Sequence, residues 1–147
     1  MSKISRKLPV TAARLVLGLI FTVFGLNGFL GFLPPPPMPE AAGAFIGALA
    51  ASGYMFPLIK GTEVVAGLAL LAGRGVPLAL TVLAPISVNI FLYHAVLSPG
   101  LGLPIAIVVA QLYLAWSYRD SFRGVLNLSA QPTEPVRAEA PLVSRPA

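Results

Sequence analysis

Between Leu15 and Tyr118 the chain carries only four fixed charges, Glu40, Lys60, Glu63 and Arg74, and their signs cancel. Over the whole chain 56% of residues are hydrophobic and 10% charged, against about 25% charged in an ordinary soluble domain. With a mean hydropathy of +0.84, a fold of this size cannot cover its surface with polar side chains. A water-soluble enzyme domain, a disordered regulator and a fibrous repeat are therefore excluded. The composition predicts an integral membrane protein.

The net charge of +5 comes from the two ends. Lys3, Arg6, Lys7 and Arg14 open the chain, and Arg119, Arg123, Arg137 and Arg145 close it. Basic ends around a neutral apolar body are what membrane orientation produces. No basic face interleaved with aromatics exists, so no nucleic-acid partner is expected; the expected surroundings are the lipid bilayer. The absence of cysteine excludes disulfide scaffolds, thiol redox chemistry and Cys-ligated zinc or iron–sulfur sites. A single histidine, His94, cannot supply bis-histidine haem ligation or a self-contained histidine metal site.

A hydrocarbon core about 30 Å thick takes roughly 20 apolar residues per helix. Leu15–Leu33 is one uncharged run ended by the prolines Pro34–Pro37. A cleaved signal peptide is the competing reading of residues 1–33, but the run is long for one and Arg14 splits its front end. Between Arg74 and Arg119 no acid or fixed positive charge occurs, and Ser98-Pro99-Gly100-Leu101-Gly102 predicts a turn within that segment. Spans at 76–97 and 103–118 follow. The middle admits two readings. A span over Ala41–Ile59 strands the apolar segment Val64–Gly73, whereas a span over 54–72 keeps it, places Lys60 and Glu63 inside the membrane, and leaves 41–53 as a short interfacial helix. The second is preferred, with Ser52-Gly53 and Pro57 supplying break and start.

The expected fold class is all-α: an integral membrane four-helix bundle with one short extra interfacial helix. Residues 1–14 form a basic cytoplasmic N-terminus, 15–123 the membrane domain and 128–147 a Pro/Ala-rich disordered cytoplasmic tail. With four spans, every basic residue except Lys60 falls on one side, so both termini are expected in the cytoplasm.

Glu63 is the most informative position. It lies nine residues past Tyr54, about 14 Å deep at 1.5 Å per residue, where a carboxylate must be paired or face the bundle interior. Lys60, three residues earlier, is within reach on the same helix face, although its long stem also permits snorkelling outward. The pair reads either as structural glue or as a buried carboxylate serving a quinone, a proton or a substrate. His94, near the end of its span, reads as an interfacial hydrogen-bonder or as a donor to a quinone carbonyl. Asn27, Asn89 and Gln111 form a set of buried amides, each expected to find an interhelical partner, and with Glu63 they give every span one polar group. Gly25, Gly28 and Gly31 in span one, the Gly43/Gly47 pair and Gly67 read as packing devices. Trp116 and Tyr118 beside Arg119 read as an interfacial belt.

Taken together, Arg14-Leu15-Val16-Leu17-Gly18-Leu19-Ile20-Phe21 followed by Gly25-Leu26-Asn27, the segment Ala41–Gly53, the run Ile59-Lys60-Gly61-Thr62-Glu63 through Gly67 to Gly73, and Asn89 to His94 with the Trp116–Arg119 ending resemble the DoxX family of small bacterial four-helix membrane proteins. The most specific piece is Glu63-x3-Gly67-x-x-Leu70-x-x-Gly73. The chain departs from the family at Gly28, where a lysine is often found. The resemblance implies a bacterial cytoplasmic (inner) membrane protein linked with quinone-dependent oxidoreductases. On that basis the expected function is a non-catalytic membrane subunit, or quinone-access partner, of a redox complex. It has no intrinsic cofactor or metal, a quinone as ligand, an oxidoreductase subunit as partner and a homo-oligomer as an open alternative. A proton-coupled transporter with Glu63 as its titrating group, and a purely structural membrane protein, are the competing classes; an autonomous enzyme is not expected.

Overall fold

Each break in the sequence ends a helix. In the computed structural model, which describes residues 3–129 and 131, five α-helices occur: α1 (Lys3–Leu30), α2 (Glu40–Ala51), α3 (Met55–Ala72), α4 (Val76–Val96) and α5 (Gly102–Ser117), with a 3-10 turn at Arg119–Phe122. No strand occurs among the described residues. Residue 130 and residues 132–147, most of the tail expected to be unstructured, lie outside the described residues. By length and composition α3, α4 and the Lys7–Leu30 part of α1 can cross a membrane, whereas α2 and α5 are shorter apolar helices.

The first helix differs from expectation at both ends. It begins at Lys3 and runs through Pro9, because one proline near an exposed helix start removes a single hydrogen bond without forcing a break. At 28 residues it is about 42 Å long and outreaches the hydrocarbon layer. It stops at Leu30 rather than Leu33. Gly31 takes φ +60°, and the Asn27 side-chain oxygen accepts the Leu33 N–H at 2.6 Å, turning the chain before the prolines are reached.

Helices α1 and α3 are antiparallel and make the closest contact in the fold. A Cβ built on Gly18 would lie 2.9 Å from the Gly67 carbonyl oxygen, and one on Gly25 2.8 Å from Val64. One on Gly28 would lie 2.6 Å from Cδ of Lys60. The packing glycines are thus Gly18, Gly25, Gly28 and Gly67. Among the described residues Gly31 and Gly47 have nothing within 4 Å, and Gly43 meets only Met38 at 3.8 Å, which corrects the reading of those three as packing devices: Gly31 has left the helix, and no other helix meets α2 at its two glycines.

At the far end of the pair the Arg14 guanidinium donates to the carbonyls of Leu70 and, at 3.0 Å, Leu71. These are among the carbonyls that a helix C-terminus leaves without intrahelical donors, and a cation suits that end of the dipole. Gly73 closes α3 at φ +69°, with Gly73 N–H to Leu70 and Arg74 N–H to Ala69, both 3.1 Å, a Schellman ending. A Cβ at Gly73 would meet Arg14 at 2.8 Å.

Helix α4 packs on α3 and α5, and α1 packs on α3 and α5. The buried core, including Leu17, Leu70, Leu83 and Leu114 at 0% exposure, gathers towards the end that carries the Gly73–Gly75 turn. Large apolar side chains such as Val65, Leu78, Leu112 and Trp116 point outward and remain exposed, a surface suited to lipid. If the α1–α3 crossing holds the fold together, Gly67→Ala should lower stability by about 2 kcal/mol through overpacking. Gly61→Ala, with nothing within 4 Å, should be neutral or slightly stabilising. Thermal unfolding in detergent compares the two directly.

Candidate functional site: a cavity floored by an ion pair

The end opposite the Gly73–Gly75 turn is hollow. A cavity of about 440 Å³ is lined from all five helices. Phe45, Ile46 and Leu49 of α2 roof it, Phe21 and Phe24 of α1 and Phe56 of α3 wall it, and Lys60, Glu63, Asn89, Tyr93 and His94 supply its polar side chains. Among the described residues, the only charged ones lining it are Lys60 and Glu63.

Glu63 is 2% exposed. Its Oε2 accepts from Lys60 Nζ at 2.8 Å, the i, i+3 reach that one helix face allows. The Lys60 ammonium also lies 5.9 Å from the centre of the Phe56 ring, one helical turn back, and about a fifth of its side chain stays exposed. Lys60 therefore turns inward to the carboxylate rather than snorkelling away. Gly28 permits this, because its missing side chain leaves the space that the lysine stem fills. A close ion pair is how two opposite charges persist in apolar surroundings.

His94 is half-buried, and its Nδ1 lies 2.9 Å from the Ile90 carbonyl oxygen. A carbonyl oxygen only accepts, so Nδ1 carries the proton. Tyr93 stacks edge-on against His94 with ring centres 5.0 Å apart and lies 5.9 Å from Phe45, while its hydroxyl faces the Met38 sulfur at 4.0 Å. Tyr93 thus ties α2 and the segment before it to α4.

The three amides separate. Gln111 is 7% exposed; its Nε2 donates to the Leu80 carbonyl at 2.8 Å and its Oε1 accepts from the Ser87 hydroxyl, so it stitches α5 to α4 in the packed region. Asn27 bonds within its own turn to Leu33, which corrects the expectation of an interhelical partner: the helix ends early enough for the side chain to serve its own chain. Asn89 is exposed, lines the cavity and makes no side-chain hydrogen bond among the described residues. This corrects its reading as a buried, partnered amide. Of the polar groups singled out in the sequence, the structure brings together Lys60, Glu63, Asn89 and His94, and leaves Asn27 and Gln111 outside the cavity. No cluster of metal-binding side chains occurs among the described residues.

Sequence reasoning missed the α2 roof, the Arg14 anchor and Thr22. Thr22 is 8% exposed, and its hydroxyl, pressed against Gly67, has no hydrogen-bond partner among the described residues. In α2, apolar residues continue all round (EAAGAFIGALAA), so no periodic contrast marks the face that meets the cavity.

Two outcomes test the roles of these polar groups. Lys60→Met should destabilise by about 2–3 kcal/mol, somewhat below the fully buried range because the lysine is partly exposed, whereas Lys60→Met combined with Glu63→Gln should recover most of that loss. Gln111→Leu should cost about 1 kcal/mol and leave the cavity's binding properties unchanged. Thermal unfolding with a ligand-binding assay reads both.

Compared with known proteins, the chain matches no family model, no curated protein and no solved structure.

Proposed function

We propose that the chain is a DoxX-like integral membrane protein of the bacterial inner membrane, a four-span bundle of α1, α3, α4 and α5 with α2 at the outer interface. Both termini lie in the cytoplasm, and the protein acts as a non-catalytic, quinone-binding subunit of a redox complex. The observation that carries the reading is the cavity: about 440 Å³, within the range of small-molecule pockets of about 300–1,000 Å³. Its walls are apolar and aromatic, and a few polar groups converge in it. A quinone ring is flat, neutral and apolar on its faces and hydrogen-bonds at its edge, which suits phenylalanine walls with Lys60, Glu63, Asn89 and His94 around them. The chain offers no thiol and no metal-ligand cluster among its described residues, so electrons would be passed by a partner.

Orientation follows from charge. Lys7, Arg14, Arg74, Arg119 and Arg123 lie at the Gly73–Gly75 end, and the connections at the α2 end, residues 31–39, 52–54 and 97–101, carry no lysine or arginine. The positive-inside rule places the basic end in the cytoplasm. Helix α5 has 16 residues, about 24 Å, and the 3-10 turn with Arg119 over the Trp116 ring at 5.3 Å would anchor its end in the interface.

A proton-coupled carrier would need a second opening beyond Glu63. The fully buried Leu17, Leu70 and Leu83 close that side, which favours a dead-end ligand pocket. A reporter fused after Leu128 should be active only in the cytoplasm; activity on the outer side overturns the four-span topology. Affinity purification from native membranes should yield an oxidoreductase subunit together with about one quinone per chain. A preparation with neither overturns the redox-subunit reading.

A further inference from the structure

A second hollow lies on the outside of the bundle, along the contact of α3 with α4. It is a furrow of about 490 Å³ that shares no lining residue with the cavity. Ala66 and Ala79, each 5% exposed, line it at depth, and Leu58, Val65 and Leu78, at 60%, 69% and 69%, stand along its edges. Gly61 also lines it, and a Cβ built there would meet nothing within 4 Å. Among the described residues the only polar side chain in the lining is Thr62. Whatever fills the furrow is therefore apolar along its length.

One end of the furrow carries charge. From Pro57 to Ala69 it follows α3 for twelve positions, about 18 Å, a little more than one leaflet of a hydrocarbon core about 30 Å thick. The lining ends at Gly75, in the turn that joins the two helices. Next to Gly75 stands Arg74, whose backbone N–H bonds back to the Ala69 carbonyl. Its side chain is exposed and makes no hydrogen bond among the described residues. Arg14 lies against the same turn, its guanidinium 2.8 Å from where a Gly73 Cβ would stand. Neither arginine is in an ion pair; those among the described residues are Lys60–Glu63 and Arg123–Asp120. An apolar slot of about leaflet depth thus ends at two positive charges that no acid balances.

We propose that the furrow is a binding site for an anionic phospholipid, with one acyl chain along α3 and α4 and the phosphate at Arg74. The guanidinium fork matches phosphate oxygens, and the negative headgroup meets the charge that the turn leaves unbalanced. A zwitterionic lipid fills the same furrow but brings a cation of its own to the arginines, so it gains less. A helix from another chain fits poorly. It is about 10–12 Å across, whereas the furrow lies between two helices already in contact, whose axes are about 8–10 Å apart. Such a helix would rest on Leu58, Val65 and Leu78 and leave the space above Ala66 and Ala79 empty. The site depends only on α3 and α4 spanning the bilayer and holds whatever occupies the cavity.

The test is native mass spectrometry of the full chain in detergent, titrated with three lipids. These are palmitoyl-oleoyl phosphatidylglycerol, the phosphatidylcholine with the same chains, and dihexanoyl phosphatidylglycerol, which keeps the headgroup on chains too short to fill the furrow. One long-chain phosphatidylglycerol should be retained per chain, about tenfold more tightly than either of the others. Arg74→Gln, at an exposed position, should weaken it about fivefold and leave phosphatidylcholine unchanged. Lys7→Gln, which removes an exposed charge on α1, should change neither. Gly61→Leu should weaken both long-chain lipids without lowering the melting temperature of the lipid-free protein. Equal affinity for the two long-chain lipids, or equal losses in Arg74→Gln and Lys7→Gln, makes the attraction diffuse and overturns the headgroup site. Unchanged binding in Gly61→Leu, or a dimer of the chain in place of the lipid adduct, overturns the furrow as the seat of the acyl chain.

Discussion

A carboxylate and an ammonium in apolar surroundings must stay together, and the hollow half of this fold is arranged around that constraint. Glu63 is buried and Lys60 reaches it at 2.8 Å. The lysine stem needs room on the side where α1 passes, and Gly28 gives it. The same α1 face continues through Gly25 and Gly18 along α3 as far as Gly67, so the clearance that seats the ion pair belongs to the stripe that lets the two helices meet backbone to backbone. Arg14 fixes the other end of the pair by capping α3. Without bulk between α1 and α3, the remaining helices surround space on the opposite side of Glu63, and that space is the cavity.

The molecule thus divides along its length. Towards the Gly73–Gly75 turn, leucines are fully buried and Gln111 binds α5 to α4; towards α2, aromatic and aliphatic side chains line a void. The polar groups follow the division. Ser87 and Gln111 bond each other in the packed half, where the Thr22 hydroxyl is left without a partner among the described residues, while Asn89, His94, Lys60 and one oxygen of Glu63 have capacity to spare around the void. Tyr93, in contact with Phe45 and Met38, sits where the roof meets α4. Loss of packing in the solid half would be felt as instability, whereas changes around the void would be felt chiefly in what it binds.

The charge pattern made the helices legible. An apolar run between basic residues, punctuated by Pro34, Ser52-Gly53, Gly73-Arg74-Gly75 and Ser98-Pro99-Gly100, marks five helical segments without reference to any contact. The i, i+3 spacing made the Lys60–Glu63 contact legible in the same way. What the sequence hid is rotation. In α4 and α5 apolar residues surround the helix, so nothing in the pattern separates Asn89, which lines the void, from Gln111, which is buried in a stitched contact. Asn27 depended on three residues of helix length, since a helix continuing to Leu33 would have needed an interhelical partner and one ending at Leu30 supplies its own. Gly18 and Gly31 look alike in sequence, yet one lies under α3 and the other lies outside the helix.

The central claim is that the space between Glu63 and α2 is a ligand site, and filling it is the most direct test. Asn89→Trp places a large side chain into the void from a position already exposed there, so the fold should survive and the space should not. Binding of decylubiquinone to the wild-type chain and to Asn89→Trp, each in nanodiscs and each checked for an unchanged melting temperature without ligand, should show saturable binding near one equivalent in the first and a loss of about tenfold or more in the second. Equal binding by both chains would place the ligand elsewhere and contradict the account.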